Sequence, residues 1–480
     1  MKKQKAISRR ASLRGMGTAG ALAILGQPAA TQDKPAAGRT SKPEGVRKAI
    51  RNRVWATPFI DTHEHLIEES ERLSGTAHPR VKSDDWTMVL SHYIDADMLS
   101  AGMPRDLRDQ LFSPNVDPID KWRLLEPVWP AVRHTGYGQA VTFAVRALYG
   151  VEGLSSATIR TVQAGYEKTR RPGFYRRILN DMARIESCQV NCLSKPFQES
   201  AMPTLLMQDL SIVGMFAGPD LKTFGEPAGA AVASLEDWHR VIDWWFARYG
   251  PYAVAVKSQN AYRRDIDYER VAADRAQPLF LKKLDGRTLT DSETKDLEDH
   301  LFWVAVGKAT EQGLPVKLHT GYYSGNNAMP LSRLLRNPGS ACDLCRRSPD
   351  TRFVFMHIAY PHYEEMIALA KQYTNAYLDM CWAWIINPVA ATDFLKKYLV
   401  TAPANKILTF GGDYVPVEAV AGHAEIARRG IALALSELVE EGWMGPDQAL
   451  ETIEPIMRGN ARRIFNLDKK EKTLRTVPWG

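Results

Sequence analysis

Short apolar runs recur along the chain, and several end in a polar or charged residue. The first is Pro58-Phe-Ile-Asp-Thr-His-Glu-His65; others cover 188–193, 210–216, 253–257, 314–319, 352–357, 375–379 and 407–413. Runs of this length, apolar on both faces, predict strands buried on both sides, as in a parallel sheet. Between them, 235–249, 300–312, 363–373 and 418–441 place apolar residues at the three-to-four spacing of amphipathic helices. Eight strands alternating with helices predict an α/β protein whose parallel sheet closes into a (β/α)8 TIM barrel. Residues 67–185 are too long for a simple connection and read as a helical insertion after strand one. Residues 261–300 form a second, charged excursion after strand four. Both leave from the strand ends that form a barrel's active-site mouth.

Composition narrows the picture. The 480 residues are 45% hydrophobic and 24% charged, near the average for a soluble globular chain, which excludes a mostly disordered, fibrous or polytopic membrane protein. Five cysteines are too few for a disulfide scaffold. The net charge of +7 is misleading, because Lys2, Lys3, Lys5, Arg9, Arg10 and Arg14 supply six of those charges before residue 27. The excess belongs to a leader, and no nucleic-acid partner is expected. Ser8-Arg9-Arg10-Ala11-Ser12-Leu13, the apolar stretch 15–26 and the small residues Ala29 and Ala30 resemble a twin-arginine export signal over residues 1–30. The apolar stretch is too short to span a membrane. That reading makes the translocation machinery a partner and the location periplasmic or extracellular. Residues 31–50 then read as a linker, and 51–470 as the barrel.

The chemistry sits at strand ends. All strands of such a barrel run the same way, so their C-terminal ends converge on one mouth. His63 and His65 end strand one, and alternation puts both on one face. Lys257 ends strand four, His319 strand five, His357 strand six and Asp413 strand eight. Imidazole and carboxylate together suit zinc first, with manganese or iron as alternatives. A single His-x-His, or His319 or His357 alone, is more often structural; four of eleven histidines at three strand ends, with Asp413 at a fourth, point to a divalent metal.

Asp61-Thr-His-Glu-His65 and Phe410-Gly-Gly-Asp413 resemble the first-strand and eighth-strand motifs of the amidohydrolase superfamily. Lys257-Ser-Gln-Asn-Ala-Tyr-Arg263, His319-Thr-Gly321, Met356-His-Ile-Ala-Tyr-Pro361, Asn375-Ala-Tyr-Leu-Asp379 and Gly459-Asn-Ala-Arg-Arg463 are similar to its amidohydrolase-related branch. The nearest pattern is the amidohydrolase-like domain of glutamine synthetase fusion proteins. The likeness runs from about residue 55 to 466 and is strongest after residue 250.

The resemblance implies that His63, His65 and Asp413 hold one metal, with His319 as a further ligand. His357 is then a ligand of a second metal or a free catalytic group. Lys257 is either carboxylated and bridging two metals, or an ammonium that pairs with a substrate carboxylate. Catalytic roles fall to Asp413, which takes a proton from water, to His357, which polarises a carbonyl or protonates a leaving group, and to Lys257. The expected activity is hydrolysis of an amide, lactone or ester in a small substrate. The alternatives are decarboxylation or uronate isomerisation on the same barrel, and, last, a non-catalytic binding protein. Arg263, Tyr322, Tyr360 and Trp382 follow strand ends and are candidate substrate contacts; Arg264 and Trp384 are weaker ones. Asp379 is expected to orient a ligand from behind. Glu64, His362 and His423 are expected to be structural. Cys342 and Cys345 predict a loop disulfide, Cys188 and Cys192 buried thiols, and Asp84, Asp85, Asp95 and Asp97 charged helix faces. A homo-oligomer is compatible with all of this.

Overall fold

The computed structural model describes residues 43–75, 81, 83–326 and 328–479. The leader and the first part of the linker lie outside these. Nine parallel segments, β1 (Phe59–Glu64), β2 (Ile185–Val190), β3 (Leu206–Gln208), β4 (Leu210–Ser211), β5 (Val256–Ser258), β6 (Val316–His319), β7 (Phe353–Met356), β8 (Ala376–Asp379) and β9 (Ile407–Leu408), build the sheet. β3 and β4 are halves of one strand broken at Asp209. Asp209 N still donates to Val190 O (2.8 Å), and Leu210 N to Ala255 O (2.9 Å), so the ladder passes from β2 to β5 without a gap. The chain after β9 closes the circle against β1. Thr62 N donates to Phe410 O (3.0 Å), Asp413 N to His63 O (2.8 Å) and His65 N to Tyr414 O (2.9 Å). The fold is a TIM barrel of eight strands, and nearly every strand residue is buried, as strands covered on both faces require.

Several expectations need adjustment. Strand two starts at Ile185 and strand three at Leu206, earlier than their apolar runs suggest, and Val213–Phe216 is a helical turn. There the runs continue past the strands into buried loops, which hydropathy cannot separate from strand. The predicted linker ends early, because helix Pro43–Ala56 begins inside it. That helix is amphipathic, buries Ile50 and Val54, and packs on helix Val420–Glu440. Helix Asp291–Glu311 starts well before the predicted 300, where Thr290 and Glu293 form a reciprocal capping box. Cys342 and Cys345 lie one turn apart within helix Leu331–Arg347, both free, so there is no loop disulfide.

The insertion is helical, as expected. Its helix Gly136–Tyr149, capped by Thr135 and ended by the left-handed Gly150, packs along Val420–Glu440. Asp84 and Asp85 are not solvated helix-face residues. Asp85 caps the turn at Trp86 and pairs with the fully buried Lys121. Asp84 pairs with Arg170 and with Arg72 at 3.1 Å. Arg72 in turn holds Glu418 at 2.7 Å, which locks the insertion to the segment after Asp413. Among the described residues no helix is long and apolar enough to cross a membrane.

Candidate active site

Strands β1, β5, β6 and β7 and the loop after β9 bring His63, His65, Lys257, His319, His357 and Asp413 to one end of the barrel. His63 Nε2 and His65 Nε2 each lie 3.2 Å from Asp413 Oδ1, and His357 Nε2 lies 3.9 Å from Asp413 Oδ2. The His63 and His65 rings stand 4.6 Å apart, and those of His319 and His357 4.4 Å apart. Lys257 Nζ sits 3.5 Å from His63 Nε2 and 3.0 Å from Met356 Sδ.

The backbone is shaped to make this meeting. Gly411-Gly412 lets the chain pass against β1; a Cβ on Gly412 would lie 1.9 Å from Glu64 Oε1. Asp413 follows with φ +60°, and His92, His357 and Cys381 also hold left-handed φ values of +94°, +63° and +38°. Four such non-glycine residues around one centre are the kind of strain that clusters at functional sites. Glu64 is structural: it points away from the mouth and accepts from Tyr414 N at 2.7 Å. Asp61 is its buried neighbour. Burial pushes Asp61 up to about 7 and Glu64 well above its usual range, so the pair keeps a proton at neutral pH.

Protonation favours cation binding. Burial alone would lift the Asp413 carboxyl, but the imidazoles of His63, His65 and His357 hold it well below the carboxylate range. Burial, then Lys257, pushes His63 far down; burial takes His357 to about 3. The result is an ionised carboxylate among neutral imidazoles. His65 Nδ1 donates to Asn191 O at 2.7 Å, which fixes its tautomer and leaves Nε2 with a lone pair toward Asp413. Both ring nitrogens of His357 and Nδ1 of His63 are buried without hydrogen-bond partners. His63, His65 and Asp413 converge within ligand distance of one another, as do His357, Cys381 and Asp413. This donor set fits a divalent metal.

His319 differs from the expected ligand, since its Nε2 donates to Tyr322 O at 2.9 Å and only Nδ1 remains for the site. Burial lowers the Lys257 amine to about 8, so part of it is neutral near pH 7. Cys381, not singled out in the sequence, offers a buried thiol held up by burial.

A cavity of 340 Å³ opens over these groups. Lys257, Gln259, Asn260, Tyr262, Arg263, Ser324, His92 and Tyr93 line it together with the candidate ligands. Of its fourteen lining residues only Leu193 and Val213 are aliphatic. The remaining expected contacts stand elsewhere. Trp382 is fully buried, stacked on Tyr93 (4.8 Å) and edge-on to His357 (5.5 Å), so it is the wall behind His357 rather than a cavity surface. Tyr322 packs against Trp382 at 5.9 Å and Tyr360 at 6.2 Å, away from the cavity lining. Arg264 is no solvated loop residue; Asp299 and Glu298 hold it at 2.6 Å and 3.3 Å. Glu298 also pairs with Arg263, which stays half exposed at the cavity. Asp379 receives Thr62 Oγ1 at 2.6 Å and Cys381 N at 3.0 Å, so it braces the turn at Cys381 behind the site. Trp384 is buried, with its indole N–H on Thr409 O. His423, in the first turn of helix Val420–Glu440, donates Nδ1–H to Gly412 O at 3.1 Å and so steadies the Asp413 loop. His92, Tyr93, Tyr262 and Gln259 escaped the sequence reading. For the first two, only their place in a long insertion is visible there.

Residues 239–467 match the family model described as Amidohydrolase. Over 234 residues the chain is 26% identical to Protein fluG of Emericella nidulans, covering 46% of this chain and only 26% of that protein. Over 469 residues it is 21% identical to uronate isomerase of Phenylobacterium zucineum, covering 89% of this chain and 95% of the relative. Among solved structures, uronate isomerase from Thermotoga maritima superposes with a TM-score of 0.70 at 15% identity, covering 88% and 97% of the two chains. Glucuronate isomerase from Caulobacter crescentus gives 0.70 at 16% identity, covering 92% and 97%. At that identity the likeness supports the barrel and its insertion.

Proposed function

We propose that this chain, which belongs to the amidohydrolase superfamily, is a metal-dependent isomerase that interconverts the aldose and ketose forms of a hexuronate-type hydroxy acid. The observation that carries this is the cavity: twelve of its fourteen lining residues bear polar groups, eleven of them on side chains with a titratable or amide function. Such a lining matches a hydroxyl-rich substrate better than an apolar amide or ester. Uronate isomerases are among the relatives matched along nearly their full length, which supports the same reading.

His63, His65 and Asp413 would hold the metal, with His357 beside them. When bound, a divalent ion acidifies a coordinated hydroxyl and polarises the neighbouring carbonyl. The shift moves a proton between adjacent carbons and another between their oxygens. Asp413, ionised throughout the physiological range, is the proton acceptor. Tyr262 hydrogen-bonds Ser324 Oγ at 3.3 Å, and burial pushes its hydroxyl up to about 12, so it stays protonated and donates. Arg263 orients the substrate carboxylate. Lys257, part neutral near pH 7, hydrogen-bonds a hydroxyl next to the reacting carbons.

Hydrolysis is the second reading. It rests on the match of residues 239–467 to the amidohydrolase model and on Asp413 standing ready to take a proton from water. One assay separates the two. Metal-loaded protein is incubated with hexuronates, and with lactones and esters, in deuterated or oxygen-18 water. Ketose formation from a hexuronate supports isomerisation. Oxygen-18 in a cleaved product, without ketose, refutes it in favour of hydrolysis; released carbon dioxide points to decarboxylation. Export by the twin-arginine route is part of the proposal and is tested by fusing residues 1–30 to a reporter that needs that route.

A further inference from the structure

The proposed reaction leaves Cys381 without a role. Its side chain is fully buried, and its thiol forms a second group of donor atoms with His357 and Asp413, all within 4.8 Å of one another. Two ligands each about 2.0–2.3 Å from one ion stand slightly closer together, so a small closing movement completes a site. This group is distinct from the first. His63 and His65 face Oδ1 of Asp413 at 3.2 Å, whereas His357 faces Oδ2 at 3.9 Å. The rings of His63 and His357 stand 6.2 Å apart, against 4.6 Å for His63 and His65. Both ring nitrogens of His357 are buried with no hydrogen-bond partner, so its lone pair has no protein group to receive it. The position of the thiol is also built. Asp379 accepts from Cys381 N at 3.0 Å and braces the turn that carries it. Gly411 leaves it room, since a Cβ there would lie 2.8 Å from Cys381 Sγ.

We infer that His357, Cys381 and Oδ2 of Asp413 form a second cation position, which takes an ion of the zinc class and, when filled, inhibits the enzyme by occupying the carboxylate oxygen that accepts the proton. The thiol gives up its proton to solvent as the ion binds. A thiolate selects zinc or cobalt over magnesium, calcium or manganese, so this position discriminates among metals. The position itself stands on the donor geometry alone; the inhibition rests on the isomerase reading.

The test uses a Cys192→Ser/Cys342→Ser background, which removes the two half-buried thiols. Chelated protein saturated with cobalt should show visible d–d bands together with a thiolate-to-cobalt charge-transfer band in the near ultraviolet. Adding Cys381→Ser, checked for unchanged circular dichroism, should abolish the charge-transfer band and keep d–d bands from the first ion. It should also weaken binding of the second ion by at least roughly 10–100-fold, since even an indirect partner of a ligand is worth that much. X-ray absorption of the zinc-saturated background needs no change at Cys381, and should find sulfur at about 2.3 Å beside nitrogen and oxygen at about 2.0–2.2 Å. Absence of sulfur from the zinc shell, or a charge-transfer band that survives Cys381→Ser, overturns the position; d–d bands that remain leave the first ion in place. With a hexuronate as substrate, excess zinc should cut turnover on the order of 10²-fold, by taking the proton acceptor, while excess magnesium should not. Equal inhibition by both ions, or by neither while zinc is bound through sulfur, overturns the inhibitory role. A sulfur signal in protein that isomerises no hexuronate at any metal load leaves the position standing and removes the isomerase reading, with the inhibition that rests on it.

Discussion

Lys317 on β6 is fully buried inside the barrel, where its ammonium donates to both oxygens of Asp209 (2.8 and 3.0 Å) and to Thr62 O (2.7 Å). Every proton of the ammonium has a partner, and Asp209 sits at the break between β3 and β4. Lys317→Met keeps much of the volume and leaves Asp209 as an unpaired carboxylate in the core. Removing one partner of such a pair costs ~3–5 kcal/mol, far above the 0–1 kcal/mol of an exposed pair. At about 2 cal/mol/K of unfolding entropy per residue, a body of this size moves by about 4 °C in Tm for ~4 kcal/mol. The cost should depend on pH. Burial raises Asp209 even with Lys317 beside it, and the variant removes the cation that opposes this. A carboxyl whose folded pKa lies above its unfolded value makes the folded state bind more protons, so its penalty grows as pH rises through the folded pKa. The variant should therefore be weakest at neutral pH and recover toward wild type as the pH falls toward the ordinary carboxyl value of about 4, where only a lost hydrogen bond, about 1–3 kcal/mol, remains.

Urea unfolding followed by tryptophan fluorescence, at pH 7 and pH 4, measures both quantities. The double variant Lys317→Met/Asp209→Leu should regain most of the loss, since replacing both charges with apolar groups is often neutral. A single-variant loss below ~1 kcal/mol at pH 7, or a loss that does not change with pH, would show that the interior tolerates the lone carboxylate and that the pair does not hold the break in the strand.

Asp413→Asn should lower the bound divalent metal per chain and cut turnover on the order of 10²–10⁴, while leaving the far-ultraviolet circular dichroism unchanged; elemental analysis and kinetics check it, and near-normal activity refutes the site. Gly412→Ala places a Cβ against the Glu64 carboxyl and should cost about 1–3 kcal/mol with weaker metal binding; wild-type stability would mean that the Gly411-Gly412 segment has room to spare. The metal-free protein should lose stability as pH falls below 6.5. His357 and His423 are held by burial at about 3 and about 4, so the unfolded chain takes up protons that the folded chain refuses. His423→Gln should flatten that slope by roughly 3 kcal/mol at most between pH 6.5 and 4, which a pH series of denaturation midpoints measures.

The barrel was legible because its strands are apolar on both faces and end in chemically distinctive residues. His63, His65, Lys257, His319, His357 and Asp413 could be assigned to one mouth from strand direction alone, before any contact was known. What resisted reading lies where side-chain direction depends on the loop rather than on the strand. Trp382 follows β8 at the distance of a cavity residue, yet the left-handed turn at Cys381 carries it back into the core against His357. Tyr322 has the same sequence address after β6, but its carbonyl, not its ring, serves the site by taking the proton of His319 Nε2. His92 and Tyr93 have no strand to place them. They reach the cavity because the insertion is pinned to the Asp413 loop, through Arg72 and Glu418 and through the Tyr93 hydroxyl on the Asp413 carbonyl. Metal chemistry can thus be read from strand ends in this fold, whereas substrate selection is written in buried ion pairs and loop turns that join distant segments.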